Sequence, residues 1–383
     1  MHLPRLWILA AAMLAAPAAR AAGDAPSGWP AGLAPQPPLN FRVAAYARGL
    51  DGPRALLVLP NGDVLVAESR GGAPETRPSA NRVTLLRDTT GNGVADKQFP
   101  LVDGLARPAG LALRRDRLYV ADTDAVVSCP FLVGQTRLHG ECHSLVDLPA
   151  AAGRDHWARA LAFDADEARL YIGVGAQDDA PPGVTEPLRA AILVARPDGH
   201  ELRVYASGTH APGGLAVEPA SGRLYATVSV HAPPGQPGPA DYLTHLEDGA
   251  SYAGARARTP DLAIGPGARP EGVAFYSRDH FPRGYRGGAF VALAGGDAPR
   301  VVFVPFADGH PAGAAEDFLT GFAAAPPAPP YGRPVAVAVA TDGALLVADD
   351  AGGTIWRVTF KCAACTPDPV PRRGAKRAVA GGG

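Results

Sequence analysis

Two histidines and three arginines fall within a column of twelve positions that recurs along the chain in six pairs. The pairs are Asp51/Gly52, Ala106/Arg107, His156/Trp157, His210/Ala211, Ala268/Arg269 and Gly332/Arg333, each standing just ahead of a proline or its stand-in. Arg159, just inside the third copy, adds a further cation. A guanidinium grips carboxylates with paired donors. An imidazole titrates near neutral pH and can accept a proton from a reacting group. Gathered around one cavity, this set suits an anionic, carboxylate-bearing ligand and a reaction that removes a proton. For any single arginine, pairing with an acid of a neighbouring repeat weighs as much as ligand binding.

The element that would gather them is the repeat itself. Six copies of one phrase occur: Pro53–Val58, Pro108–Leu113, Ala158–Phe163, Pro212–Val217, Pro270–Phe275 and Pro334–Val339. Their starts lie 55, 50, 54, 58 and 64 residues apart. Short strands at a period near or a little above roughly 40–50 residues mark propeller blades. Asn61-Gly62 and Asp342-Gly343 lie between apolar runs, as hairpin turns do. The expected fold is all-β: a six-bladed β-propeller with four antiparallel strands per blade, spanning 41–361. A linear solenoid is the alternative. Blade lengths that vary by loop insertion favour closure. The one helix signal is Ala240–Glu247. In a propeller, the loop leading into each innermost strand lies near the axis, so the column should face the funnel.

The flanks carry other signals. His2 and Arg5 precede the apolar run Leu6–Ala16, and Ala19-Arg20-Ala21 fits a small-x-small cleavage site, so 1–21 reads as an export signal. Residues 22–40 read as a Pro/Gly/Ala-rich linker, and 362–383 as a CxxC followed by a disordered tail. The expected location is periplasmic or secreted, with no membrane span, since later apolar runs are short. A net charge of −1 excludes a basic field for nucleic acid. The four cysteines suit an oxidising compartment. Cys129 and Cys142 are expected to close a hairpin as a disulfide. Cys362 and Cys365 are read as a local disulfide, because Thr366 stands where a haem-attachment motif needs histidine. Asp88–Asp96 resembles a calcium loop but lacks the terminal bidentate Glu, so a tight turn is the preferred reading. No His pair has metal-ligand spacing such as HxxxH.

Several segments resemble the L-sorbosone dehydrogenase branch of the glucose/sorbosone dehydrogenases. They include FRVAAYARGLDGPRALLVLPNGDVLVAES, RVTLLRDTTGNGVADK, GLARPAGLAL, HWARALAF, ASGTHAPGGLAV, DYLTHLEDGASY and GRPVAVAVATDGALLVADDAGGTIWRV. The similarity runs from Phe41 to Phe360. It implies a funnel that binds pyrroloquinoline quinone, often with Ca²⁺ beside it. It also implies oxidation of an aldose or sugar-derived aldehyde, with electrons leaving to an external acceptor. The family's proton-abstracting histidine matches His156, and the nearby arginine matches Arg159. Cofactor contacts match Arg107, Arg333, His210 and, across a gap, Arg300. Calcium-side carbonyls would fall at Gly238 and Pro239. The chain departs from the family pattern in four places. His210-Ala211 replaces an Arg-Asn pair, Ala294–Ala298 replaces a longer Trp-bearing stretch, Arg300 replaces a lysine, and Tyr252–Ala255 replaces Tyr-Gly-Trp-Pro.

Three functions are therefore expected in order: a quinoprotein sugar or aldehyde dehydrogenase, a non-catalytic propeller binding a sugar or protein partner, and a metal-dependent lactonase. The last would need inward Glu, Asn and Asp ligands, and the column offers Asp51 alone.

Overall fold

The structure is a computed structural model that describes residues 28–70, 79–149, 159–176, 188–230, 240–296, 298–323 and 330–361. Residues 1–21, read as an export signal, and His156, Gly238, Pro239, Cys362 and Cys365 lie outside the described residues.

Blade 1 is built from Pro53–Val58, Val64–Glu68, Arg82–Arg87 and Lys97–Val102, paired antiparallel in that order. Blades 2 to 5 repeat the scheme from their inner strands Gly110–Arg114, Arg159–Phe163, Ala211–Val217 and Pro270–Phe275, and in blade 3 the short strand Ala250–Ser251 adds a fifth, parallel to the outer one. Blade 6 takes its inner three strands, Pro334–Val339, Leu345–Asp349 and Thr354–Phe360, from the end of the propeller. Its outer strand is Phe41–Arg48, from the beginning, paired antiparallel from Phe41↔Phe360 to Arg48↔Thr354. Each inner strand packs against the next, and the inner strand of blade 6 packs against that of blade 1. The ring is closed, which decides against a solenoid. This six-bladed all-β propeller is the fold expected from the sequence.

The second strands are fully buried in blades 1, 3, 5 and 6, since both faces of each blade are covered by neighbours. Their sequences are accordingly apolar runs rather than alternating ones, closed by Glu68 in blade 1 and Asp349 in blade 6. The inner strands carry Ala55, Gly110, Ala160, Gly214, Gly272 and Ala336 at matching positions. Neighbouring backbones approach so closely there that a Cβ on Gly272 would lie 2.7 Å from the Ala336 Cα.

Two expectations change. Ala240–Glu247 is not helical: Asp241–His245 is the third strand of blade 4, hydrogen-bonded on both edges. Tertiary pairing overrides a weak local helix preference. The stretch read as a linker is docked from residue 28 onward. Trp29 stacks edge-on against Trp356 and Phe322, its Nε1 donates to Asp349 Oδ2 at 2.5 Å, and Gln36 bridges to Thr320.

Among the described residues no helix is long and apolar enough to cross a membrane. Cys129 and Cys142 are bonded, tying the end of the third strand of blade 2 to the loop before its fourth.

Candidate functional site

The six inner strands begin on one face, so the loops ahead of them form a shared mouth. A recurring device fixes these loops. An acid at the end of a blade's second strand, or at the start of a third, accepts a backbone N–H from a residue just ahead of an inner strand. Glu68 accepts from Asp51 at 2.5 Å, Asp122 from Ala106 at 2.9 Å, Asp241 from Arg269 at 2.8 Å and Asp349 from Arg333 at 2.8 Å.

The loops are held in costly conformations. Arg107, His210 and Arg269 have φ of 63°, 37° and 49°. Left-handed backbone costs a non-glycine residue roughly 1–2 kcal/mol. Gly52 has φ 65° at the equivalent place in blade 1, and a Cβ there would lie 2.7 Å from the Ser69 carbonyl oxygen. Blade 1 therefore needs glycine, while blades 2, 4 and 5 place large cationic or titratable side chains in the same strained state. Strain of this kind persists where the surroundings over-determine it, and it concentrates at functional sites.

The side chains divide into two groups. Across blades 1, 5 and 6, arginines answer acids. Asp350 Oδ2 accepts from Arg54 Nη1 at 2.5 Å, and both Asp350 oxygens accept from Arg333, at 2.8 and 2.7 Å. The side chains of Arg54 and Asp350 are 7% and 4% exposed, and that of Arg333 is 36% exposed. Burial pulls the Arg54 guanidinium below its ordinary pKa, while Asp350 and then Glu271 push it back. The bond to Asp350 raises Arg333. Glu271 lies 3.8 Å from Arg269.

On the blade 2 and 3 side, Arg159 is 1% exposed, and its Nη2 donates to the Thr123 and Pro149 carbonyls at 2.6 and 2.8 Å. The Arg159 guanidinium is thus engaged with backbone carbonyls on the blade 2 side. Thr123 N–H donates to Ala106 O, which places Arg159 beneath the loop that presents Arg107. Asp122, beside Thr123, is 4% exposed, and burial pushes its carboxyl up to about 6. Its Oδ1 and the Thr123 and Thr209 hydroxyls are buried without a hydrogen-bond partner among the described residues.

Arg300 is placed differently from expectation. It opens the third strand of blade 5, and its Nε lies 2.7 Å from Asp317 on the outer strand, turning it from the axis. Asp51 is bound by Arg70 and by the Ala80 N–H. Glu271 and Asp350 face guanidiniums, so the mouth's described acids do not form the open carboxylate set that a lactonase calcium site requires. Asp88, on the opposite face, accepts four backbone N–H groups from Thr90 to Gly93 and is a closed turn.

Arg54, Glu271, Asp350 and Asp122 were missed by the sequence reading. Two signals mark them: the second position of each repeated phrase, and an acid closing the apolar second run in VAES, VADT and VADD.

A planar quinone bearing three carboxylates needs cations fixed on the rim. Arg333, clamped through two donors yet partly open, supplies one, and Arg107 and Arg269 stand on the same rim. The donor set fits such a group along this arc.

No family model and no curated protein matches the chain. Solved structures do. The holo form of the pyranose dehydrogenase PQQ domain from Coprinopsis cinerea superposes with a TM-score of 0.68 at 18% identity, covering 85% of this chain and 97% of that one. The PQQ-bound aldose sugar dehydrogenase from Streptomyces coelicolor gives 0.62 at 20% identity, covering 85% and 100%. The apo soluble aldose sugar dehydrogenase from Escherichia coli gives 0.63 at 17% identity, covering 84% and 100%. At these identities the likeness is one of fold.

Proposed function

We propose that the chain is an exported oxidoreductase that binds pyrroloquinoline quinone in the propeller mouth and oxidises an aldose or sugar-derived aldehyde. The observation that carries this reading is the strained rim: Arg107, His210 and Arg269 keep left-handed backbone at the loops where the repeat predicted a ligand. The resemblance along the sequence, and the sugar dehydrogenases that share the fold, supply the substrate class.

In this reading Arg333 and Arg107 hold cofactor carboxylates, and Asp350 keeps Arg333 in one orientation. Arg159 supports the Arg107 loop from below. His156, three residues ahead of the third inner strand, takes the hydroxyl proton of the sugar. The bound quinone would supply the two-electron acceptor for the hydride leaving the anomeric carbon. Ca²⁺ beside the cofactor, ligated through carbonyls at Gly238 and Pro239, belongs to the same proposal, as does an external electron acceptor.

The test is titration with pyrroloquinoline quinone and Ca²⁺, followed by thermal shift and quinone absorbance. Stoichiometric binding that bleaches with an aldose is expected. H156A should then slow bleaching by roughly 10²–10⁴-fold, the usual worth of a general base. R333A should weaken cofactor binding about 10–100-fold, as loss of a charged hydrogen bond does. An unchanged rate in H156A rejects that residue's role. Absence of binding would instead support a non-catalytic propeller, the second reading, which the outward turn of Arg300 favours.

A further inference from the structure

We propose that His245, Asp261 and His310 form a binding site for a divalent transition ion of the zinc type, stapling blade 4 to blade 5 on the face opposite the mouth. His245 ends the third strand of blade 4, and Asp261 directly precedes the fourth. His310 lies in the small hairpin Phe306–Ala307/His310–Pro311 that follows the third strand of blade 5. Strand direction puts all three at the far end of their blades from the mouth.

One ring nitrogen of each histidine and one Asp261 oxygen lie within 4.8 Å of one another. The two imidazoles sit edge to face, with centroids 5.8 Å apart. Two imidazoles with a carboxylate suit Zn²⁺ and its neighbours, whereas Ca²⁺ and Mg²⁺ favour all-oxygen sets. Ligand atoms in a tetrahedral site stand roughly 3.3–3.5 Å apart, given Zn–N and Zn–O distances of about 2.0–2.2 Å, so closure asks for side-chain movement of about 1 Å.

The surroundings hold the ligands in place. The His245 N–H donates to Asp261 Oδ2 at 2.6 Å, and Tyr252 OH donates to the His245 carbonyl at 2.6 Å. Tyr225 OH, in the buried layer beneath, donates to the Gly309 carbonyl at 2.8 Å and anchors the hairpin that carries His310. Asp261 Oδ2 is 2.7 Å from His245 Nδ1, and Glu247 Oε1 is 3.1 Å from His245 Nε2, within reach as a further oxygen ligand. Arg223 Nη1 lies 2.8 Å from His310 Nε2. A guanidinium only donates, so in this contact Nε2 is the acceptor and offers the lone pair that a metal would use. The arriving ion takes the position of Arg223, whose Nη1 also stands 3.5 Å from the Gly309 carbonyl.

The experiment uses the mature, tag-free chain, treated with chelator and titrated with Zn²⁺ by calorimetry. Co²⁺ provides the visible spectrum. One equivalent should bind, with cobalt bands typical of low coordination number. H310A, at an exposed position, should retain the fold by circular dichroism and weaken binding by more than about 100-fold, beyond the roughly 10–100-fold cost of losing even an outer partner. H245A should do the same, H200A should bind as wild type does, and R223A should bind at least as tightly. Unaltered binding in H245A and H310A, binding lost in R223A, or no stoichiometric binding would overturn the site. His245 would then be a hydrogen-bonding bridge between Asp261 and Glu247.

Discussion

The two sides of the mouth hold their arginines by different means. Arg54 and Arg333 converge on one carboxylate, Asp350, which links blade 1 to blade 6. Arg159 instead grips the carbonyls of Thr123 and Pro149, which links blade 3 to loops of blade 2. A guanidinium on a carboxylate is fixed as a charge with its free edge still able to meet a ligand. A guanidinium buried on carbonyls is spent on backbone geometry. Arg54 and Arg159 hold the same second position of the repeated phrase, yet their partners differ. Burial and partner separate a partly open guanidinium from one enclosed by backbone.

The sharpest break of this contrast is D350A. It leaves two guanidiniums without their shared acid, and removing one partner of a buried pair costs roughly 3–5 kcal/mol. Urea unfolding should show that loss, and R54M/D350L should recover most of it, because removing charge and partner together removes the desolvation penalty. A single D350A as stable as wild type would reject the clamp.

R159M tests the other side. It leaves two buried carbonyls unsatisfied at about 1–3 kcal/mol each, so a loss near 3 kcal/mol is expected. Cofactor affinity should fall with it, through the Arg107 loop, while R159K should restore part of both. Loss of affinity with unchanged stability would return Arg159 to a direct contact.

The third prediction concerns Asp122, whose folded-state pKa is raised to about 6 from 3.8. Below pH 4 the carboxyl is protonated in both states and costs nothing. As pH rises from about 4 to 6, the unfolded chain ionises first, so the folded state loses stability. The loss reaches at most about 3 kcal/mol at neutral pH, at 1.36 kcal/mol per unit. D122N should therefore be more stable than wild type at pH 8, and the gap should close by pH 4. A gap independent of pH would mean that Asp122 ionises normally.

Much of this was legible in the chain. The repeated phrase located all six inner strands, because a strand packed around an axis needs the same small and apolar residues each time. The left-handed positions were found only as a column, since Arg107 and Arg269 are residues that ordinarily avoid such backbone. Depth was not legible: only packing decides that Arg159 is 1% exposed while Arg333 stays partly open. Nor was the His245–His310 pairing. These residues belong to different blades, and a spacing rule drawn from single helices or loops cannot register a contact made by neighbouring sheets.

The strand pairing that completes blade 6 bears on how the molecule comes into being. Phe41 meets Phe360, so the ring cannot shut until nearly the whole chain is available. Contacts between such distant segments form slowly, since the loop between them must be ordered first. A chain still emerging has five complete blades at most, and Phe41–Arg48 waits without Thr354–Phe360, the strand that covers its edge. The same strand in a second molecule fits that edge equally well. Cleavage that removed Phe41–Arg48 would turn a self-contained ring into one that seeks its missing strand from a neighbour.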